Sequence, residues 1–226
     1  MKKVSVCLLF CLALIPSWTM AQTSRSYIRE QIREWGECKN VAITQYNGDL
    51  ALYGRNGWAG QGLPKGFSRA LNELNENNEL IDDVVLTEEG SWIIQYGNNG
   101  FRYAGISSSL ESKIEEYNER GDVIMAVTYC DSGRWILISD KYYVSSAQWI
   151  QDWLNEGSEK FGELWTACVT DDAMVAVYDR GYKFYGDVPD DLRQALLESE
   201  LDVYRLKISG SAWFFADKQG NYRYNM

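Results

Sequence analysis

The chain has 226 residues, of which 32 are acidic and 22 basic, and its formal net charge is −10. Such an acidic chain is a poor partner for nucleic acid or anionic lipid, because phosphate would repel it. The sequence has no histidine, the usual base of a Ser or Cys triad, and no SxxK, GxSxG or phosphate-binding glycine loop. We therefore expect no nucleic-acid partner, no cofactor and no enzymatic activity.

The first 21 residues have the pattern of a secretory signal peptide. Lys2 and Lys3 precede an apolar run over residues 4–15, and small residues lead up to Ala21. The run is too short to cross a bilayer. We predict cleavage after Ala21 and an exported mature protein, periplasmic or secreted, with no membrane span. Loss of the two lysines takes the net charge from −10 to −12.

Three cysteines, Cys38, Cys130 and Cys168, follow the predicted signal peptide. An odd number in an oxidising compartment permits one disulfide or none. Counting from neighbouring strand positions places Cys130 and Cys168 on opposite faces of equivalent strands, so we predict that they are not bridged. With no CxxC motif and no histidine, a metal site built on these cysteines is not expected.

Residues 22–226 are predicted to form a single repeat domain. A helix followed by three short strands recurs five times, at the roughly 40-residue spacing typical of repeat architectures. The clearest copy is residues 87–110, TEEGSWIIQYGNNGFRYAGISSSL. The predicted units span about 24–61, 62–105, 106–146, 147–186 and 187–226.

The predicted elements follow from apolar periodicity and turn residues. The first unit has a helix at 24–36 and strands at 41–45, 49–53 and 58–61. The second has a helix that starts at 63 and ends in the region 75–78, and strands at 83–86, 91–96 and 101–105. The third has a helix at 107–119 and strands at 124–129, 134–139 and 142–146. The fourth has a helix at 147–155, an unassigned stretch at 157–162, and strands at 165–170, 174–178 and 182–185. The fifth has a helix starting at 189 and strands at 204–208, 212–216 and 221–224.

Two local patterns support these hairpins and their packing. Asn47-Gly48 lies between two apolar runs, which predicts a tight turn whose two central residues have positive φ. A large apolar side chain recurs at one position of the second strand, which predicts a common packing role. These residues are Leu50, Trp92, Trp135, Met174 and Trp213. Units of this size must stack on their neighbours to bury an apolar face, so we predict an α+β ring or strongly curved array of five units.

One segment resembles known repeats. Residues 63–106 contain LPKGFSRALNELN and GSWIIQYGNNGFRYAGI, and LESKIEEYNE follows. This segment resembles the aromatic-rich repeats of about forty residues in secreted or surface-associated bacterial proteins of unassigned function. The resemblance implies an exported bacterial protein with a repeat architecture, and it brings no catalytic residues with it.

Acidic residues cluster in the turns between first and second strands, which should all lie at one end of the array. Clustered carboxylates there could bind Ca²⁺ or a basic partner, or could form a hydrolase's acid and base pair. The alternative is that they are ordinary solvated turn residues. The candidate metal ligands are Asp49, Glu89, Asp131 and Asp172.

Aromatic residues are concentrated in the third strands, which form the edge of each meander. Aromatic rings on a concave surface would suit a glycan or a protein ligand, and plain cross-strand packing is the alternative. The candidate binding residues are Trp58, Phe101, Tyr103, Tyr143, Tyr182, Tyr185 and Tyr222. The sequence thus favours an exported binding module over a structural or assembly protein of the cell envelope, and over a carboxylate-based hydrolase. It leaves the ligand and the oligomeric state open.

Overall fold

The computed structural model describes residues 17–226, and it describes side chains from residue 23 onward. The predicted signal peptide, residues 1–21, therefore lies outside the residues with described side chains. Within the described chain, no helix combines the length and the apolar character needed to cross a membrane.

Five helices alternate with five groups of three strands. In chain order the first two units are α1 (Ser17–Trp35), β1 (Asn40–Ala42), β2 (Asp49–Tyr53), β3 (Gly57–Gln61), α2 (Lys65–Glu76), β4 (Ile81–Leu86), β5 (Trp92–Tyr96) and β6 (Gly100–Ala104). The third and fourth are α3 (Ser108–Arg120), β7 (Ile124–Tyr129), β8 (Trp135–Ser139), β9 (Tyr143–Ser145), α4 (Gln148–Phe161), β10 (Leu164–Val169), β11 (Ala173–Tyr178) and β12 (Gly181–Gly186). The fifth is α5 (Asp190–Leu197), β13 (Arg205–Ser209), β14 (Ala212–Ala216) and β15 (Tyr222–Asn225).

Each group of strands is a separate antiparallel meander with its strands in sequence order. The predicted α+β fold of five helix-plus-meander units is therefore confirmed. The first strands lie innermost, and each contacts the first strand of the next unit, in the order β1, β4, β7, β10 and β13. Strand β13 in turn contacts β1. The array is thus a closed ring.

The core consists of five layers, each between two consecutive units. The second strands are buried on both faces, so alternate residues of one strand enter different layers. In β5, Trp92 and Ile94 pack toward the first unit, and Ile93 packs toward the third. The fifth layer joins the ends of the chain, since Ile28 and Ile32 of α1 pack with Phe214 of β14. Closure of the ring therefore buries apolar surface that an open array would leave exposed.

The recurring large residues of the second strands are confirmed as core residues, with one correction. Trp92, Trp135, Met174 and Trp213 all face the preceding unit. Leu50 faces the following unit instead. Its neighbour Asp49 occupies the tryptophan position of the first unit, where it is fully buried.

Asp49 also explains why the Asn47-Gly48 prediction is wrong. Asn78 and Asn99 are the non-glycine residues with positive φ in the described chain, and Gly48 does not have positive φ either. The loop is instead held by Asp49, whose carboxylate accepts from the Thr44 amide at 3.0 Å. Gly48 is needed for a different reason: a Cβ there would lie 2.2 Å from the Gln61 carbonyl oxygen.

The unassigned stretch at 157–162 belongs largely to α4, which continues to Phe161. Glycine weakens a helix, and this stretch begins and ends with glycine, so its sequence does not indicate one. In the structure a Cβ at Gly157 would lie 2.0 Å from the Tyr178 hydroxyl oxygen. That hydroxyl donates to the Leu154 carbonyl at 3.1 Å, so the glycine leaves room for a buried tyrosine.

Candidate functional site

The third-strand aromatics are distributed around the ring. Trp58, Phe101, Tyr103, Tyr143, Tyr182 and Tyr222 each pack, partly buried, against the layer that contains the helix of the next unit. Two of them also donate to that helix, Tyr103 to Glu111 at 3.0 Å and Tyr143 to Asn155 at 2.9 Å. Tyr185 is different, because it is 45% exposed and lies 5.4 Å from the Trp149 ring. The structure therefore does not bring these seven residues together, and it places only Tyr182 in the cleft described below.

The acidic turns do lie at one end of the ring, which we call the hairpin end. Their carboxylates bind backbone amides of the preceding unit's turn. Glu88 accepts from Gln45 at 2.5 Å and from Tyr46 at 3.1 Å. Asp131 accepts from Glu89 at 3.3 Å, and Asp171 accepts from Ser132 at 2.9 Å. These acids link consecutive units in addition to making a negative surface.

The four candidate metal ligands are placed as follows. Asp49 is buried and accepts from the Ser24 hydroxyl at 2.6 Å and from Arg25 at 3.1 Å. Asp131 and Asp172 line a cavity of about 260 Å³ to which the hairpin-end turns of all five units contribute. Glu89 is exposed beside it. Among the described residues, no three His, Cys, Asp or Glu side chains are grouped so that they could hold a metal ion.

At the opposite end of the ring, one position of the first strand interrupts the regular pairing. β4, β7 and β10 each carry a bulge, at Asp82, Met125 and Trp165. The equivalent position in the fifth unit is Tyr204, whose amide donates to Ala216 although Ala216 is the register partner of Arg205. Lys39 is the equivalent residue of the first unit, because its amide donates to Leu52 although Leu52 is the register partner of Asn40. We call these five residues the bulge positions.

The bulge positions are the places where buried strands expose a side chain. In β4, β7 and β10 the residues on both sides of the bulge are buried, and the bulge residue itself is not. A bulge inserts one unpaired residue and redirects its side chain, and bulges are common beside functional sites. The side chains differ from unit to unit, so the same backbone feature presents a different chemical group in each unit.

The bulge positions of the fourth and fifth units border a concavity at this end. This 4/5 cleft has a volume of about 450 Å³, and its lining includes Trp165, Tyr178, Tyr182 and Tyr204 together with Asp179, Asp202, Lys218 and Gln219. Trp165 is 36% exposed, which is high for a strand tryptophan in a packed ring. A cleft of several hundred cubic ångströms with aromatic walls and a few polar groups is typical of a small-molecule site.

Polar contacts fix the aromatic walls of the 4/5 cleft. The Trp165 indole N–H donates to Asp179, whose other carboxylate oxygen accepts from the Glu163 amide at 3.2 Å. Burial, followed by the charge of Asp202, raises the pKa of Tyr182. Burial likewise raises the pKa of Tyr204, so both phenols stay neutral at physiological pH.

Lys218 brings a positive charge into the 4/5 cleft. Its ammonium lies 4.6 Å from the centroid of the Tyr204 ring and 5.9 Å from that of the Trp165 ring. Its side chain is in no ion pair of the described residues. The Arg205 guanidinium carbon lies 3.9 Å from the centroid of the same Tyr204 ring. The ammonium is therefore held by aromatic faces and keeps its hydrogen-bond donors for a ligand.

Sequence reasoning missed Trp165 and Tyr204 as site residues, because it assigned them to the starts of regular strands. The available signal was weak. Aligned on the repeat, the bulge position changes between Lys, Asp, Met, Trp and Tyr, whereas the residue before it is apolar in every unit. Such variation beside a constant apolar position marks a residue that does not serve the common core.

The fold and the cleft together define the class: a closed ring of five helix-plus-meander units with an aromatic cleft of ligand size. No known protein family matches the sequence, and no curated protein matches it. Among solved structures, the chain is similar to one titled "YCF48 bound to D1 peptide", at 10% identity and a TM-score of 0.29. The match covers 82% of this chain and 49% of that chain, so this chain spans about half its length. A TM-score of 0.29 does not indicate a shared fold.

Proposed function

We propose that this protein is an exported binding module whose ligand occupies the 4/5 cleft. The observation that carries the proposal is the outward rotation of Trp165 at a strand bulge, beside Tyr182 and Tyr204, into a concavity of about 450 Å³. An exposed indole in a concave site offers a rigid apolar surface at low entropic cost. Export rests on the signal-peptide pattern of the first 21 residues.

The carboxyl groups favour binding over hydrolysis. A carboxylate-based hydrolase needs a general acid whose pKa is raised. The carboxyl groups with clearly displaced pKa values are Asp83, Glu116, Asp122 and Asp171, and all four are displaced downward. A structural role in the cell envelope remains the alternative, and self-association would be its signature.

The test is a fragment screen followed by NMR of the tryptophan indole N–H resonances. Trp149 serves as the internal control, because it is 43% exposed but lies on α4 outside the cleft. We expect fragments to shift the Trp165 resonance selectively. Equal shifts of the Trp149 resonance, or no shift of the Trp165 resonance, would rule out the 4/5 cleft as the ligand site. Sedimentation of the same sample should show no concentration-dependent association.

A further inference from the structure

The polar groups of the 4/5 cleft indicate the chemistry of its ligand. Asp179 and Asp202 bring negative charge and hydrogen-bond acceptors, and Lys218 and Gln219 bring donors. A simple cation would satisfy only the carboxylates and would meet Lys218, while a simple anion would meet two carboxylates. A neutral polyhydroxyl ligand satisfies both sets, because each hydroxyl group both donates and accepts.

The aromatic walls complement this polar rim. Trp165 exposes part of its ring, and the apolar C–H face of a pyranose can pack flat against such a surface. The hydrogen bond from its indole N–H to Asp179 fixes the ring plane before any ligand arrives. A fixed platform lowers the entropic cost of binding. The volume of about 450 Å³ suits a short saccharide.

We infer that the 4/5 cleft binds a neutral glycan segment, with one sugar ring stacked on Trp165. The sugar hydroxyls accept from Lys218 and Gln219 and donate to Asp179 and Asp202. This inference rests on the proposed function and specifies its ligand. Lys218 contributes to binding in this arrangement, because its ammonium turns from the aromatic rings toward the sugar oxygens when the ligand enters.

The variant Lys218→Met separates this ligand class from a cationic one. Methionine keeps an unbranched stem and removes both the charge and the donors. If the ligand is a sugar, the variant loses a hydrogen bond and its affinity falls about five- to tenfold. If the ligand is a cation, the variant removes an internal competitor and its affinity rises. The matched control is Lys183→Met, because Lys183 also lies over a ring, that of Trp153 at 5.2 Å, but faces α4.

The experiment titrates the mature protein and monitors the Trp165 indole resonance, and isothermal titration calorimetry measures the affinity of the wild type and of every variant. The neutral probes are cellobiose, lactose, mannobiose, xylobiose and N,N′-diacetylchitobiose; choline and glucuronate are the charged probes. We expect at least one neutral disaccharide to bind, with affinity reduced by Lys218→Met, reduced about tenfold by Trp165→Ala, and unchanged by Lys183→Met. Choline binding that strengthens in Lys218→Met, or binding of glucuronate alone, would overturn the glycan assignment and leave the cleft as a binding site. Silence of the Trp165 resonance with every probe and in the fragment screen would overturn both proposals.

Discussion

Lys207 of the fifth unit donates a hydrogen bond to Asp83 of the second unit at 2.8 Å, across the centre of the ring. The two units are not neighbours, since the first unit lies between them. Asn40 of that first unit donates to the same carboxylate oxygen at 2.6 Å. Arg205 donates to Asp82 at 2.7 Å and to the Met125 carbonyl at 3.0 Å, which brings in the third unit. Four of the five units are therefore tied together by polar groups near the axis.

Asp83 should be the most sensitive member of this network. Burial raises the cost of its charge, but Lys207 and Arg205 outweigh that cost and hold the pKa below its usual range. Asp83→Asn leaves Lys207 without its counterion and the buried Arg205 with Asp82 alone, and we expect a loss of about 3–5 kcal/mol of unfolding free energy. Asp82→Asn is the control, since the Asp82 side chain is 32% exposed, and it should cost clearly less. Equal losses in urea denaturation would contradict the assigned role.

The same carboxylate makes a prediction about acid. Because the pKa of Asp83 is lower in the folded than in the unfolded protein, its contribution to stability is complete above the unfolded value of about 4. It is lost as the pH falls through the folded pKa. Asp83→Asn should therefore have a shallower decline of unfolding free energy below about pH 4 than the wild type. Parallel acid limbs for the two proteins would show that another carboxyl group controls acid denaturation.

The acidic residues of the hairpin end should act as links between units. Glu88 accepts from two amides of the first unit and from the Ser209 hydroxyl of the fifth at 3.1 Å. Glu88→Ala removes the acceptor for all three, and we expect a loss of about 1–3 kcal/mol. Glu89→Ala is the matched control, because Glu89 is the next residue in the chain and its side chain is exposed. This variant should cost less than about 0.5 kcal/mol. Thermal or urea unfolding of the two variants, side by side, decides the point.

The repeat itself could be predicted from the sequence because it depends on local patterns. A large apolar residue follows a turn at similar spacing in all five units, and that spacing is sufficient to place five meanders; these residues are Leu50, Trp92, Trp135, Met174 and Trp213. The alternating aromatics of the third strands also followed from the sequence. Their packing partner did not, since it is the helix of the next unit and not only a neighbouring strand.

Contacts distant in sequence account for what the sequence did not predict. Asp49 looks like an ordinary turn residue until Ser24 and Arg25 of α1 are placed beside it. The bulges at Asp82, Met125 and Trp165 have no residue signature, because a bulge is a property of strand pairing. The candidate site was missed for that reason. Closure of the ring could not be predicted either, because it depends on the contact between β13 and β1, which are far apart in the sequence.

The three cysteines that follow the predicted signal peptide should be unreactive in the folded protein and free in the unfolded one. Cys38, Cys130 and Cys168 are buried and unbridged, as predicted for the Cys130–Cys168 pair. Burial raises the pKa of Cys38 to about 12 and that of Cys168 to about 11, so little thiolate is present near neutral pH. A maleimide reagent should label none rapidly in native protein and all three after denaturation without reductant. Labelling of only one thiol after denaturation would reveal a disulfide.

The inter-unit layers make a prediction that compares a buried tryptophan, Trp92, with an exposed one, Trp149. Trp92 is 8% exposed, packs 5.4 Å from the Phe67 ring and fills the layer between the first and second units. Trp92→Ala should therefore cost about 3–5 kcal/mol, since the cavity cannot close without moving two units. Trp149→Ala is the control: its ring is 43% exposed and contacts Tyr185 at the surface, so the loss should stay near or below about 1 kcal/mol. Urea denaturation followed by far-UV circular dichroism measures both. A similar cost for the two would mean that the ring does not depend on its inter-unit layers, and the packing scheme derived from them would have to be abandoned.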